Sequence, residues 1–260
     1  MMKLAGKTGL VTGGGSGIGR GICLKFAKEG ANVVIADINM AGAEETLRLI
    51  KALGGAAICI RADVTSTVDT ENMVAAAVEE FGRIDILVNN AGTDIKGAVE
   101  EYPVEKWDLL MSLNLKGVFL STQAAVKRMK AQQYGRIVNI SSMAGKTGES
   151  FTSAYCTTKF GVIGFTQSVA LEVGESNITI NAVCPGAVET DLIKSSVTGT
   201  AQLNNRTYEE ELYEKFIKQT PLGRVAQPSD IANAVAFLAS DEASFITGSS
   251  LNVSGGREMH

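Results

Sequence analysis

The chain has 260 residues, 45% of them hydrophobic, and a formal net charge of −4 at pH 7. A chain of this length can bury one large core, so we expect a single domain over residues 1–260. Charges of both signs are scattered along the sequence without a basic stripe or tail. This disfavours nucleic acid and acidic membrane surfaces as partners and favours a small-molecule substrate.

The N-terminus and the cysteines indicate the compartment. Residues 1–11 contain only a short apolar stretch without a cleavage-site pattern, and no run approaches the roughly 18 apolar residues of a membrane span. The four cysteines form no C-x-x-C pair, which is typical of buried thiols in a reducing compartment. The only histidine is His260, which disfavours histidine metal sites and Ser-His-Asp hydrolysis. We therefore expect a cytoplasmic protein without a metal.

Short β-branched apolar runs alternate with stretches of helical periodicity along the whole chain. The apolar runs predict seven strands, at residues 8–12, 33–37, 57–62, 84–89, 136–141, 178–183 and 250–253. The stretches between them predict helices at residues 18–29, 43–53, 68–81, 117–130, 154–173 and 229–239. Such alternation implies an α/β fold, in which a doubly wound, seven-stranded parallel sheet carries helices on both faces. Ligands of this architecture bind beyond the carboxyl ends of the strands.

A glycine-rich turn joins the first strand to the first helix. Glycines there accept positive φ and let a phosphate approach the N–H groups of a helix N-terminus. The residues that would bind the cofactor in this turn are Gly13, Gly15, Ser16, Gly17, Ile18 and Gly19. A turn of this kind can also be merely a turn, so its context matters.

Asp37 ends the second predicted strand and supplies that context. A carboxylate at this position can accept hydrogen bonds from both adenosine ribose hydroxyls and would repel a 2′-phosphate. Ser16 and Ile38 lie where an NADP enzyme would be expected to place a basic residue. The turn and the acid together predict NAD as the cofactor. A solvated acid that opens a loop is the structural alternative.

Tyr155 and Lys159 lie at i and i+4 of a predicted helix and therefore share one face. A phenol has a pKa near 10, and a nearby ammonium group stabilises the phenolate and lowers that pKa. Tyr155 could then take a proton from an alcohol as hydride leaves for NAD, or return it during reduction. Taken alone, such a pair is more often an ordinary feature of a helix surface.

The spacing Thr-Gly-x-x-x-Gly-x-Gly, the turn Asn-Asn-Ala-Gly and the Tyr-x-x-x-Lys pair resemble motifs of the short-chain dehydrogenase/reductase family. The rest of the chain resembles this family as well. The resemblance implies a Rossmann fold and further cofactor contacts. Asp63 and Val64 would contact the adenine. Asn90, Ala91 and Gly92 would stabilise the sheet beside the cofactor. The nicotinamide would be covered by a segment that contains Pro185, Gly186, Val188 and Thr190.

The resemblance also implies a catalytic tetrad of Asn114, Ser142, Tyr155 and Lys159. Ser142 lies at the family's spacing before Tyr155, and its hydroxyl can donate to a carbonyl or developing alkoxide. Ser141 is the rival, and spacing selects Ser142. Lys159 would also reach the nicotinamide ribose. At Asn114 the side chain, or a backbone carbonyl freed by a helix distortion, would hold a water that links Lys159 to solvent.

Specificity should come from the loops at residues 143–153 and 187–188 and from residues 190–220, which we interpret as a lid that orders over substrate. Within this lid, residues 195–200 look flexible and residues 208–218 present an apolar helix face. In the first loop, polar residues such as Glu149 and Thr152 either contact a hydroxyl-rich substrate or form a solvated loop. The resemblance indicates a polyol, a sugar derivative or a small hydroxyketone as the alcohol or ketone substrate.

Two other functions remain open. One is a 3-oxoacyl-thioester reductase, although these family members usually need NADPH, which Asp37 disfavours. The other is a non-catalytic regulator that senses NAD(H), which would have no need of the Tyr155 and Lys159 pair. The resemblance further implies a homotetramer that packs the helices at residues 117–130 and 154–173.

Overall fold

The computed structural model describes residues 2–260, apart from the side chains at positions 192, 200 and 203. Its strands are β1 (Thr8–Thr12), β2 (Asn32–Asp37), β3 (Ala57–Arg61), β4 (Ile86–Asn89), β5 (Gly135–Ile140), β6 (Ile178–Pro185) and β7 (Ser250–Val253). They form one parallel sheet in the order β3-β2-β1-β4-β5-β6-β7. The strand order reverses direction between β1 and β4, where a doubly wound sheet opens a crevice for ligands. The predicted seven-stranded Rossmann sheet is confirmed.

Helices cover both faces of this sheet. They are α1 (Gly17–Lys28), α2 (Met40–Ala52), α3 (Thr67–Phe81), α4 (Val104–Leu110), α5 (Gly117–Gln132), α6 (Ser153–Val173), α7 (Asp191–Leu203), α8 (Tyr208–Lys215) and α9 (Pro228–Leu238). In β2, Val33 and Ile35 pack with α1, α2 and α9, whereas Val34 and Ala36 pack with α3, α5 and α6. Successive side chains of a strand point to opposite faces, so a sheet covered on both sides requires the unbroken apolar runs seen in the sequence.

Two helices lie where no helix was predicted. The first, α4, precedes α5 in the chain, and the second, α7, includes residues 195–200, so the prediction of a flexible tract there is wrong. Val197 and Ala201 are buried along α7. Their packing offsets the weak helix propensity of the serines, threonines and glycine in this stretch, because tertiary contacts override local propensity.

The segment Val104–Gln132 is one helical stretch, in which α4 runs into a π-helical turn at Met111–Lys116 and then into α5. It is the one described segment whose length and composition would suffice to cross a membrane, with a mean hydropathy of 1.2 in its most apolar window. Half of that window is buried inside the fold, and Ala125 and Met129 belong to the core. Its apolar composition is explained by packing against the sheet.

Candidate active site

A cavity of about 870 Å³ opens at the carboxyl ends of the strands. The turns after the first six strands contribute to its wall, and the turn after β6 includes the segment that follows Pro185. Of the predicted site residues, those that line it are Gly13, Ser16, Gly17, Ile18, Asp37, Asp63, Val64, Asn90, Ala91, Gly92, Ser142, Tyr155, Lys159, Pro185, Gly186, Val188 and Thr190. Gly15, Gly19 and Asn114 are outside this lining. The structure thus brings most of the predicted residues to one cavity, and their roles stay predictions.

The glycine-rich turn forms a narrow cradle at the start of α1. Gly17 has a φ of +49°, and a Cβ on Gly19 would lie 2.0 Å from the carbonyl oxygen of Gly13. Gly15 and Gly19 are therefore required by close packing behind the cavity wall. The Ser16 side chain makes no capping hydrogen bond, which leaves N–H groups at the first turn of α1 available to a ligand. This arrangement fits the pyrophosphate of a dinucleotide.

Asp37 is held in place by backbone donors. Its Oδ2 accepts a hydrogen bond from Gly15 N at 2.8 Å, and its Oδ1 accepts one from Asn39 N at 2.8 Å. The neighbouring Ile38 lines the cavity as an exposed apolar residue. This part of the cavity therefore presents a fixed carboxylate beside an apolar side chain, which fits an adenosine ribose with a free 2′-hydroxyl.

Arg20 is a residue that the sequence analysis missed. Its guanidinium donates to the carbonyl oxygens of Gly15 and Gly42 and, at 3.0 Å, to the Thr46 hydroxyl. The cation thereby braces the glycine turn against α2 and is outside the cavity lining. A basic residue near a glycine turn in the sequence does not reveal which way its side chain lies.

Thr12, also missed from the sequence, joins the turns after β1 and β4. Its hydroxyl accepts hydrogen bonds from the backbone N atoms of Asn90 at 3.0 Å and Ala91 at 3.1 Å. The Asn90 side chain donates in return to the carbonyl oxygens of Thr12 at 3.0 Å and Gly13 at 3.1 Å. These reciprocal bonds fix the crevice at the point where the strand order reverses. The threonine directly before the first glycine was the available signal.

The turn after β3 contributes Asp63 and Val64 to the cavity wall. Asp63 Oδ1 accepts hydrogen bonds from the Thr65 backbone N at 2.9 Å and from the Thr65 hydroxyl at 2.7 Å. These donors lower the pKa of the Asp63 carboxyl below its usual value. Asp63 is therefore an ionised acceptor at neutral pH.

Ser141 and Ser142 follow β5 and differ in their hydrogen bonds. The Ser141 hydroxyl donates to the carbonyl oxygen of Lys159 at 2.9 Å and is buried. The Ser142 Oγ accepts a hydrogen bond from Ala144 N at 3.1 Å, and a hydrogen bond between Ser142 and the phenol acts to lower the pKa of Tyr155. Because the Ser141 proton is already used, Ser142 is the serine that can donate to a substrate oxygen.

Tyr155 and Lys159 meet on one face of α6, and burial shifts both of their pKa values. The Lys159 Nζ donates to the carbonyl oxygen of Ile140 at 2.9 Å and lies 5.5 Å from the centre of the Tyr155 ring. Burial lowers the pKa of Lys159 to about 8. The pKa of Tyr155 is raised above its ordinary value, because burial and the charges of Asp94 and Glu149 outweigh the Ser142 hydrogen bond.

Burial therefore outweighs any lowering of the Tyr155 pKa by Lys159, and the net shift is opposite to the one expected from their spacing. Desolvation of the phenol is the largest influence on its pKa, and the i, i+4 spacing alone could not reveal it. Tyr155 is accordingly protonated at neutral pH. A protonated phenol is suited to donate a proton to a carbonyl oxygen.

Asn114 lies in the π-helical turn, completely buried. Its Oδ1 accepts a hydrogen bond from Thr93 N at 2.9 Å, and its Nδ2 donates to Thr93 O at 2.8 Å and to the Thr158 hydroxyl at 3.3 Å. The helix distortion implied by the resemblance is present. Because these bonds occupy the Asn114 side chain, the backbone carbonyl is the alternative that remains for holding a water.

The segment after β6 is fixed by a short strand-like pairing. Val188 pairs with Ala226, and the Thr190 hydroxyl donates to the carbonyl oxygen of Val188 at 3.3 Å. From the predicted lid, the residues that line the cavity are Thr190, Ile193, Ser195, Ser196 and Phe216.

In the loop after Ser142, Glu149 lines the cavity, whereas the Thr152 hydroxyl donates to the Glu149 carbonyl oxygen and is buried. The suggested substrate contact by Thr152 is therefore wrong.

Comparisons with known proteins cover nearly the whole chain. A family model described as Enoyl-(Acyl carrier protein) reductase matches residues 13–258. A protein of Thermotoga maritima called an uncharacterized oxidoreductase is 42% identical over 255 residues, covering 98% of each chain. The 3-oxoacyl-(acyl-carrier-protein) reductase FabG of Staphylococcus aureus is 40% identical over 262 residues, covering 99% of this chain and 100% of its own. The crystal structure of levodione reductase superimposes with a TM-score of 0.91 at 33% identity, over 98% of each chain.

Proposed function

This chain belongs to the short-chain dehydrogenase/reductase family and is an oxidoreductase, and within that family we propose that it transfers a hydride between NAD(H) and a secondary alcohol or ketone. The observation that carries the proposal is the convergence of Ser142, Tyr155 and Lys159 on the cavity that also holds the glycine turn and Asp37. We further propose a polyol, a sugar derivative or a small hydroxyketone as substrate, and a cytoplasmic location.

The proposed mechanism assigns one task to each side chain. A bound nicotinamide would supply or accept the hydride. The Ser142 hydroxyl donates a hydrogen bond to the substrate oxygen and stabilises the charge that develops there. During reduction the phenol of Tyr155 gives its proton to that oxygen, so that one hydride and one proton convert the ketone to the alcohol. The ammonium group of Lys159, anchored by the Ile140 carbonyl, stabilises the phenolate that is left.

Asp37→Asn tests the proposed preference for NAD. The amide keeps an oxygen that can accept from Gly15 N but removes the charge that would repel a 2′-phosphate. We expect the ratio of kcat/KM with NADH to kcat/KM with NADPH to fall by about 10-fold or more, which corresponds to about 1.4 kcal/mol. Steady-state rates with both cofactors measure this ratio.

Asp63→Asn is the matched control for that experiment, because it removes the same charge from the adenine end of the same cavity. It should change the KM values for NADH and NADPH by the same factor and leave their ratio in place. A wild-type enzyme that prefers NADPH would contradict the proposed cofactor.

The pKa of Lys159 predicts the pH dependence of ketone reduction. Lys159 is cationic below a pKa of about 8 and loses its charge as the pH rises through that value, while Tyr155 keeps its proton over the same range. We expect kcat/KM for reduction to fall above about pH 8. In Lys159→Arg the charge persists, since arginine has a pKa above about 12, and the falling limb should move to higher pH. If kcat/KM of this variant still falls near pH 8, the fall is caused by a group other than Lys159.

The 3-oxoacyl-thioester reductase is the second candidate, and the 40% identity to the Staphylococcus aureus reductase favours it. Both candidates use the same Ser142 and Tyr155 chemistry, so the substrate distinguishes them. Purified protein should be assayed with NADH and with NADPH against polyols, hydroxyketones and 3-oxoacyl thioesters. The highest kcat/KM with a thioester and NADPH would favour the second candidate. NADH binding without turnover of any compound would favour the sensing regulator.

We also propose a homotetramer and a substrate lid. Phe119 on α5 and Phe160 on α6 are both exposed, and large apolar side chains on a surface favour association. The mass in solution, measured by light scattering, tests the tetramer. Residues 190–220 supply Ile193 and Phe216 to the cavity wall, which supports a lid. Equal protease sensitivity of this segment with and without cofactor and substrate would argue against it.

A further inference from the structure

Arg257 follows β7 and lines the cavity, half-buried. Its guanidinium carbon lies 5.7 Å from the centre of the Phe216 ring. The side chain forms no hydrogen bond or ion pair with any residue that the structure describes. A half-buried cation without an anionic partner is unfavourable, and contact with an aromatic ring compensates for this only in part. Arg257 therefore presents an unused set of donors to the cavity.

The C-terminal turn holds Arg257 in this position. Next to it, the Glu258 carboxylate is buried and accepts a hydrogen bond from the Thr147 hydroxyl at 2.7 Å. The same carboxylate accepts from the backbone N of Met259 at 3.1 Å and of His260 at 3.2 Å. Thr147 belongs to the loop that follows Ser142. Arg257 thus lies between the loop that follows the proposed catalytic serine and the lid residue Phe216.

Lys96, in the loop after β4, is a second cation on the cavity wall. It is exposed and forms no hydrogen bond or ion pair with a described residue. Lys215, on α8, lies close enough that the charge of Lys96 helps to lower its pKa. Side chains from three separate parts of the chain therefore bring positive charge to this region.

Two acids, Asp94 and Glu149, also line this part of the cavity. Burial raises the pKa of Asp94 and the charge of Lys96 acts to lower it, while Glu149 acts on Lys215. Neither acid forms an ion pair with Arg257. The acids therefore leave the guanidinium of Arg257 without a counter-charge.

We infer that the substrate carries an anionic group, a carboxylate or a phosphate, which Arg257 binds with Lys96 as the second cation. This inference rests on the proposed alcohol or ketone chemistry and narrows its substrate to a hydroxy acid or a phosphorylated polyol. The planar guanidinium donates two parallel hydrogen bonds to a carboxylate or phosphate, and the Phe216 ring restricts its orientation. Tyr155 and Ser142 line the same cavity and would act on the hydroxyl or carbonyl carbon.

The test compares three compounds of equal carbon number, namely a neutral polyol, its monophosphate and a hydroxy carboxylate, with the full chain and NAD. We expect one anionic compound to exceed the neutral polyol in kcat/KM by about 10-fold or more. Arg257→Gln should lower kcat/KM for the anionic compound by about 10- to 100-fold and so remove its advantage. The loss should appear chiefly in KM, because the interaction is present in the ground state as well as in the transition state. Lys96→Gln should cause a smaller loss. Whichever anion prevails identifies the group.

Lys194→Gln is the matched control, because Lys194 is an exposed lysine of α7 outside the cavity lining. It removes the same charge and should leave the ratio of anionic to neutral kcat/KM unchanged. A second readout needs no turnover. Inorganic phosphate or sulfate should inhibit the wild type competitively against the substrate and should inhibit Arg257→Gln about 10-fold less strongly.

Several results would overturn the inference. One is a kcat/KM for the neutral polyol that equals the values for both anionic compounds. This result would leave the proposed function intact. Equal losses of kcat/KM for neutral and anionic substrates in Arg257→Gln would show that Arg257 supports the fold. A 10-fold weaker affinity of this variant for NADH would show that Arg257 binds the cofactor. If no compound is turned over, the proposed function fails, and calorimetric binding of the same anions decides the subsite. Weaker anion binding by Arg257→Gln than by the wild type would support the anion subsite. Equal binding by the two proteins would overturn it.

Discussion

Tyr155→Phe is expected to lower kcat by about 10²- to 10⁴-fold, the range over which a positioned acid or base contributes to catalysis. The substitution removes only the hydroxyl that we propose as the proton donor. The phenyl ring keeps its place on α6 beside Lys159, so the cofactor site should persist. Steady-state kinetics measures the loss, and NADH fluorescence titration should give an unchanged dissociation constant.

Tyr102→Phe is the matched control for this substitution. The Tyr102 hydroxyl donates to the carbonyl oxygen of Ile95 at 2.9 Å, close to the site but outside the cavity lining. Its removal costs one ordinary hydrogen bond, about 1 kcal/mol of folding free energy, and should leave kcat within a few fold. Undiminished turnover by Tyr155→Phe would remove Tyr155 as the proton donor and with it the proposed mechanism.

Ser142→Ala is expected to lower kcat by about 10²- to 10³-fold, as the loss of one donor to a developing oxyanion does in other enzymes. The charge on the substrate oxygen is greater in the transition state than in the ground state. The lost hydrogen bond should therefore affect kcat more than KM. Rates with saturating NADH and varied ketone separate the two constants.

Ser141→Ala tests the choice between the two serines. Ser141 donates to the carbonyl oxygen of Lys159, so its loss should lower the free energy of unfolding by about 1 kcal/mol, the contribution of one ordinary hydrogen bond. We expect a much smaller change in kcat than for Ser142→Ala. The reverse order of the two effects on kcat would make Ser141 the oxygen-binding serine.

Much of the cofactor site could be predicted from short stretches of sequence. The glycine turn is recognisable because a strand, a tight turn and a helix follow one another within a few residues. Asp37 is recognisable because it ends the next strand, and Tyr155 and Lys159 because residues at i and i+4 share one helix face. Each of these relations depends on local backbone geometry, which the order of residue types determines.

Other features depended on contacts between distant parts of the chain. Asn114 bonds to Thr93 after β4 and to Thr158 on α6, and neither bond has a sequence signal. Residues 195–200 look flexible by composition but form part of α7, because Val197 packs into the interior. The contact of Arg257 with the Phe216 ring likewise joins two segments that no local pattern connects.

The sequence by itself determined the seven strands and most of the helices between them, since these follow from periodicity, and it indicated the glycine turn and the Tyr155 and Lys159 pair through local spacing. Only the tertiary structure decided the protonation of that site. Burial raises the pKa of Tyr155, against the expectation from its spacing to Lys159, and it lowers the pKa of Lys159 to about 8. The physical reason is that desolvation depends on every segment packed around a group, and at Tyr155 it outweighs the stabilisation of the phenolate by the neighbouring Ser142.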